Sequence, residues 1–517
     1  MKEKHKKIFQ FLLLVIVIFV CSSFVYNVHH DYSGFIQNPH INSSLVEVSH
    51  FSYPFPIHVD EWIHLSQIVY ILENKSLGFV NPYSSHLIFQ QDPEVGYHLI
   101  LATFFKISSL DPILTYQYFA TIFFIINSIL LFILIKKLTN NYYIGLLSIV
   151  FFLAIPTNSN ILGNWFAVPL TFSLSLIFLF FIFLTDFFKT NNKLFLLSSI
   201  IFYLFSFCYP VATAFITLIT FFYLIFEFKI YKRFNKKKFF IILGVGFILL
   251  IALLFKGLVF SRTWTNFQYD YSLIFFYGLL PMLFAIFGIY FVLTKKMNRI
   301  FFIWPLICLI NLIVYKIFGF GLFIPYERIL FYYLLGLAPL AAIGLFYLFK
   351  SIWVFLYEKV IKNKKVLSLI LVSLLVGVCF YFTFQNYYPI KSEGNFGFIQ
   401  ILDQEDYNAI KFIEQNYGEK NIILADPFIS LGIYPIGKNF VVSIESSNLG
   451  YGNPKTAGWF FMSSCEDKQK IILPSLPNFV LSKFKLNCSF LVEKYNKGDY
   501  IYQVKYEKNI SYTSLQK

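Results

Sequence analysis

The chain alternates long apolar runs with short polar connections almost from end to end. The runs fall at 8–26, 113–135, 142–156, 165–185, 194–209, 211–228, 239–258, 273–294, 300–318, 329–349 and 366–384. Most come near the ~20 residues that a helix needs to cross the hydrocarbon. They predict about eleven membrane-spanning helices. Two stretches, 27–112 and 386–517, break the rhythm. In the first, Trp62, Leu65, Val69 and Leu72 follow Asp60 at helical spacing, which predicts a short amphipathic helix lying in the interface. A second such helix begins at Asp92-Pro93-Glu94, with proline at its first position and Val95, Leu99, Ala102 and Phe105 on one face. Residues 27–53 are polar and without helical period, and read as irregular chain or short strand. From Asn386 the pattern is that of a soluble α/β domain. Glu405 to Tyr417 reads as an amphipathic helix, and 421–425, 440–444, 489–494 and 500–505 as strands, the last two joined by an Asn-Lys-Gly turn. The predicted division is a membrane domain over 1–385, carrying 27–112 as its first loop, and a soluble domain over 386–517.

Composition strengthens the membrane reading. With 57% hydrophobic and 13% charged residues, the chain has more apolar surface than one soluble core can hide. A net charge of +15 raises the question of nucleic acid, but 22 of the 42 Lys and Arg lie in six short segments at alternate connections between runs. That is the positive-inside pattern, and it explains the charge without a nucleic-acid partner. It sets the N-terminus in the cytosol and both 27–112 and 386–517 outside, in a multi-pass protein of the plasma membrane. The first run is long and lacks a clear small-residue cleavage site, so it reads as an anchor. Cys21, Cys208, Cys308 and Cys379 lie in apolar runs and read as small hydrophobes, whereas spacing leaves a Cys465–Cys488 disulfide open.

Charge is distributed unevenly. Between Asn27 and Pro112 eight carboxylates face two lysines, and eight of the nine histidines fall there too. Asp60 and His64 are four residues apart and share a helix face, as do Glu94 and His98. Capping explains an Asp-Glu pair at a helix start, at about 1 kcal/mol, but it does not explain a whole loop of acids and imidazoles. The outer ends of the later runs are basic instead, with Lys256, Arg262, Lys316 and Arg328 accompanied by Asp270 and Glu327. Arginine is scarce here, at four residues, and Arg328 enters the tenth run directly. Its planar fork grips phosphate in a way lysine cannot copy.

This layout resembles the GT-C glycosyltransferases that use polyprenyl-phosphate sugars: protein O-mannosyltransferases, aminoarabinose transferases and the catalytic subunits of oligosaccharyltransferases. The resemblance rests on Asp60-Glu61, on Pro93-Glu94-Val95-Gly96-Tyr97-His98 and on Arg328, within one span, a long exterior loop, further spans and a C-terminal exoplasmic domain. It implies a membrane all-α bundle with an exoplasmic α/β domain. It also implies Asp60, beside Glu61, as the catalytic carboxylate. It implies Arg328 as the holder of the donor phosphate. The residue pattern itself, not the resemblance, adds Arg262 and Lys256 of the same basic rim as candidates for the phosphate, and His64, Asp92, Glu94 and His98 as acceptor or accessory residues. The chain departs from the pattern in lacking a Trp-Trp-Asp motif and in carrying Asn158, Asn160 and Asn164 where a second acidic motif is expected. The implied partners are a polyprenyl-phosphate-linked sugar, a lipid, glycan or protein acceptor, and the bilayer. An inverting single displacement needs no cofactor, and a divalent Mg or Mn ion held by Asp60, His64 and nearby acids stays open. Two readings compete. A polysaccharide polymerase or ligase would carry its large loop late in the chain, and a transporter would show midplane charges or inverted repeats.

Overall fold

Where nearly every side chain is apolar, a helix is the conformation that satisfies each backbone amide within its own segment. The computed structural model bears this out and describes residues 2–506 apart from 31, 39–41, 52–53, 78–79, 87–91, 157–160, 227–259, 262–276, 320, 323, 360–372, 375–376, 379–380, 382–401 and 445–451. In chain order it contains α1 (Lys2–His30), β1 (Tyr32–Asn38), β2 (Asn42–Phe51), α2 (Val59–Asn74), α3 (Val95–Ser108), α4 (Pro112–Thr115), α5 (Tyr118–Thr139), α6 (Tyr142–Leu153), α7 (Pro169–Thr190), α8 (Lys193–Phe205) and α9 (Pro210–Phe226). There follow β3 (Phe260–Ser261), α10 (Leu279–Thr294), α11 (Ile300–Phe318), β4 (Gly321–Leu322) and α12 (Tyr326–Lys359). The C-terminal part holds α13 (Gln404–Tyr417), β5 (Ile422–Leu424), α14 (Ser430–Gly437), β6 (Phe440–Val441), α15 (Lys455–Met462), α16 (Cys465–Ile472), β7 (Phe479–Ser482), β8 (Leu491–Lys497) and β9 (Asp499–Val504). Two compact units result: Met1–Val28 with Tyr118–Ser392, and His29–Gln117 with Glu393–Lys517.

The first unit is an apolar helical bundle. Among the described residues five segments, Lys4–His30, Tyr118–Thr139, Pro169–Thr190, Ile300–Phe318 and Tyr326–Tyr357, are long and apolar enough to cross a membrane. The helices α6, α8, α9 and α10 are apolar but shorter. The run expected at 239–258 and most of that at 366–384 lie outside the described residues. Leu194, Leu197, Leu204, Ile286 and Leu293 are exposed, as suits a lipid-facing surface. Helix α12 lies at the centre, with 94% of its apolar window buried. Its close neighbour is α10, and glycines make the approach possible: a Cβ on Gly344 would lie 1.9 Å from the Phe284 carbonyl oxygen, and one on Gly288 1.9 Å from that of Leu340. Polar side chains tie the bundle further. Asn127 on α5 donates to the Thr171 carbonyl at 2.8 Å and accepts from Ser175 at 2.7 Å, both on α7, and Trp304 donates to the Tyr332 carbonyl at 2.8 Å.

The second unit joins the first loop to the C-terminal segment. Its sheet has the order β6-β5-β7-β9-β8, parallel among β6, β5 and β7 and antiparallel beyond. Leu424, Phe460, Ile472, Val480 and Tyr502 form its core. Strand β7 is central and was not anticipated; its four residues are all buried, so no alternation marked it. The Asn-Lys-Gly turn is present, with Gly498 at φ +87°. Cys465 and Cys488 are bonded, their Cα atoms 5.5 Å apart. Within 27–53, expected as irregular or short strand, the described residues form the end of α1 and the antiparallel strand pair β1 and β2. The loop's helices pack on the sheet's helices: Phe55 stacks on Tyr407 at 5.1 Å, the Tyr83 hydroxyl donates to the Leu431 carbonyl at 3.1 Å, and Lys438 pairs with Glu73 at 3.1 Å.

Candidate active site

The first amphipathic helix forms where its period predicts it, but its capping differs from expectation. Asp60 is not the N-cap. That position belongs to His58, whose Nδ1 accepts the Asp60 amide at 3.1 Å. Glu61, three residues on, accepts the His58 amide at 3.2 Å and the Ile57 amide at 3.1 Å. The physical reason is spacing: a capping box needs its acid at the third helical residue, and Glu61 stands there once Val59 begins the helix. Glu61 is thus fully buried and holds backbone, whereas Asp60 is only half-buried. Of the two carboxylates, Asp60 is the one relieved of structural work at this helix start.

The second helix also begins later than its sequence suggests. Asp92-Pro93-Glu94 forms the preceding turn, and Glu94 is the N-cap residue of α3. Asp92 Oδ1 accepts the Glu94 amide at 2.8 Å, an Asx turn that holds Pro93 and Glu94 ahead of the helix. The two helices bring together all four residues that the sequence grouped around them. His98 Nδ1 donates to Asp92 Oδ2 at 2.7 Å, His98 Nε2 meets His64 Nδ1 at 3.0 Å, and Glu94 Oε2 lies 3.7 Å from His64 Nδ1. Below them Tyr97 and Tyr116 share a hydroxyl hydrogen bond of 2.9 Å. Burial pushes both phenols well above their ordinary range, so the pair stays protonated and neutral. Sequence reasoning named Tyr97 only within its motif and passed over Tyr116, and the 19-residue separation gives no local signal of the pair.

Arg328 belongs to the first unit, in the opening turn of α12, and is 8% exposed. Its neighbour Glu327 does not pair with anything by hydrogen bond among the described residues, both carboxylate oxygens being buried without a partner. Lys256, Arg262 and Asp270 lie outside the described residues, as do Asn158 and Asn160.

Neither the sequence-family comparison nor the comparison with curated proteins returns a match. Solved structures do match. The oligosaccharyltransferase AglB of Archaeoglobus fulgidus, in complex with an inhibitory peptide and a dolichol-phosphate, is 12% identical with a TM-score of 0.56, over 92% of this chain and 70% of that one. ArnT of Cupriavidus metallidurans bound to undecaprenyl phosphate is 8% identical with a TM-score of 0.55, over 95% of this chain and 97% of that one. The chain shares the fold of these two structures. With ArnT the likeness runs through nearly the whole of both chains, so the shared fold takes in the first loop and the C-terminal segment as well as the bundle.

Proposed function

We propose that this protein is a membrane glycosyltransferase that moves a sugar from a polyprenyl-phosphate donor to an acceptor hydroxyl at the exoplasmic face. The observation that carries this is the GT-C likeness over 95% of the chain to a protein bound to undecaprenyl phosphate. About eleven spans and a cytosolic N-terminus complete the topology, in line with the alternation of basic connections along the sequence. The disulfide between Cys465 and Cys488 supports an exoplasmic second unit, because such bonds persist in oxidising compartments.

The reaction is an inverting single displacement. The acceptor oxygen attacks the anomeric carbon and gives its proton to the Asp60 carboxylate, and the bond from that carbon to the phosphate oxygen breaks with its electron pair on the phosphate. Polyprenyl phosphate leaves as a stabilised anion, so no general acid and no cofactor is needed. Arg328 grips the leaving phosphate, joined by Arg262 and Lys256. Glu61 positions rather than reacts, by fixing the amides ahead of Asp60. Mass spectrometry of glycans and glycolipids from a deletion strain tests the class of activity. Loss of one sugar from a defined glycan is expected, and an unchanged glycan and glycolipid profile refutes the reading.

A further inference from the structure

We propose that His64, Glu94 and His98 form a binding site for a divalent metal ion of the zinc class, with Asp92 as the positioning partner of His98. The proposal goes beyond the transfer reaction, which needs no metal. It rests first on geometry. His64 Nδ1 and His98 Nε2 are 3.0 Å apart, His64 Nδ1 and Glu94 Oε2 are 3.7 Å apart, and one ligand atom from each of the three residues lies within 4.8 Å of the others. Zinc bonds of about 2.0–2.2 Å in tetrahedral array set ligand atoms about 3.3–3.6 Å apart, so small shifts suffice.

The protonation pattern supports the same reading. An ionised carboxylate only accepts, so the 2.7 Å contact to Asp92 puts the His98 proton on Nδ1 and turns the lone pair of Nε2 towards His64. A carboxylate behind the far ring nitrogen of a ligating histidine is the usual way such a ligand is oriented and made more basic. Between Nε2 of His98 and Nδ1 of His64 one proton must then sit, donated by His64. A metal ion takes the place of that proton on Nδ1, and a neutral His64 then carries its one proton on Nε2 instead. Two imidazoles and one carboxylate suit zinc, whereas magnesium and calcium prefer all-oxygen shells. Burial fits as well: His64, Asp92 and His98 are each less than a tenth exposed, while the Glu94 side chain, 21% exposed, leaves an entry path and a fourth position. Since His64 is on α2 and the other two open α3, the ion would clamp the two loop helices together. The second cluster of three acids, Asp403, Asp406 and Asp499, differs because Lys483 already supplies its cation, at 2.7, 2.9 and 3.1 Å.

The test is metal content and affinity of the full chain, purified in detergent without a histidine tag, stripped by chelator and dialysed against zinc or magnesium. A single zinc per chain is expected near neutral pH, with little magnesium retained. His64→Ala and Glu94→Gln should each weaken zinc binding at least tenfold, and Asp92→Asn by about 10–100-fold. His86→Ala, an exposed histidine of the same loop outside the cluster, should bind as wild type does. Circular dichroism follows folding, and Glu94→Gln, a shape-conserving change at the least buried member, decides if a histidine variant fails to fold. Folded wild-type protein that retains no zinc, or equal retention by wild type and Glu94→Gln, overturns the proposal.

Discussion

Single side chains carry much of this account, and Arg328 is the sharpest case. A residue next in sequence on a helix does not face its neighbour, and the Glu327 carboxylate makes no hydrogen bond among the described residues. The two charges still interact, and if that were all, an exchange of charge-bearing side chain would cost only about 0–1 kcal/mol. If Arg328 clamps phosphate through both arms of its fork, lysine keeps the charge and loses the geometry. Arg328→Lys should lower transfer by about 10² to 10³ at all donor concentrations, measured with labelled sugar in membranes; wild-type rates remove the residue from the site. Lys483 makes a different prediction. Burial alone would depress its ammonium, but Asp406, Asp403 and Asp499 outweigh that and raise it. Asp406 and Asp499 are raised by burial. For Asp403, burial is outweighed by Lys483, which lowers it. Lys483→Met leaves the acids without their cation and should cost about 3–5 kcal/mol near neutral pH. A group whose folded pKa is raised favours the folded state as pH falls, so the deficit should shrink on acidification as Asp406 and Asp499 take up protons. Urea titrations at several pH values measure this, and a deficit that grows towards acid contradicts it. The sequence made Asp60, His64 and Arg328 visible by chemistry and spacing. It could not reveal the Lys483 cluster, whose members are 80 residues apart or, from Asp499, brought close only by strand pairing.

Among elements, the amphipathic helices of the first loop were legible because their periodicity is local, and α2 starts within a residue of its expected place. Their caps were not legible, since a histidine cap competes with a nearby Asp and only the fold shows which side chain reaches the amides. Strand β7 was missed because burial on both faces erases alternation. The crossing of α10 and α12 was equally silent, as glycines within apolar runs look ordinary until a partner backbone arrives. It yields a clear expectation. Gly344→Leu must push α10 away from α12 and should sharply reduce thermal stability in detergent, whereas Gly458→Ala, with nothing within 4 Å of its new Cβ, should be tolerated. Equal melting temperatures for the two variants would mean that the helices do not meet as described.

At the scale of the molecule, the hydropathy pattern foretold a helical membrane bundle with an α/β C-terminal segment. The pairing of the first loop with that segment was beyond it, because Phe55 and Tyr407, or Tyr83 and Leu431, are joined only through tertiary packing. One unit containing both segments requires that they share a side of the membrane. A membrane-impermeant thiol reagent should therefore label Ser76→Cys and Lys494→Cys from outside intact cells, and leave Lys296→Cys unlabelled; protection of the first two reverses the proposed sidedness. At the centre stands a half-buried Asp60, freed from capping by His58 and Glu61, which we propose takes the acceptor's proton. Transfer of labelled sugar from a polyprenyl-phosphate donor in proteoliposomes, comparing wild type with Asp60→Asn at equal folded protein, tests it most directly. The account predicts that Asp60→Asn folds and melts as wild type does while transfer nearly vanishes, and a wild-type transfer rate in that variant would contradict it.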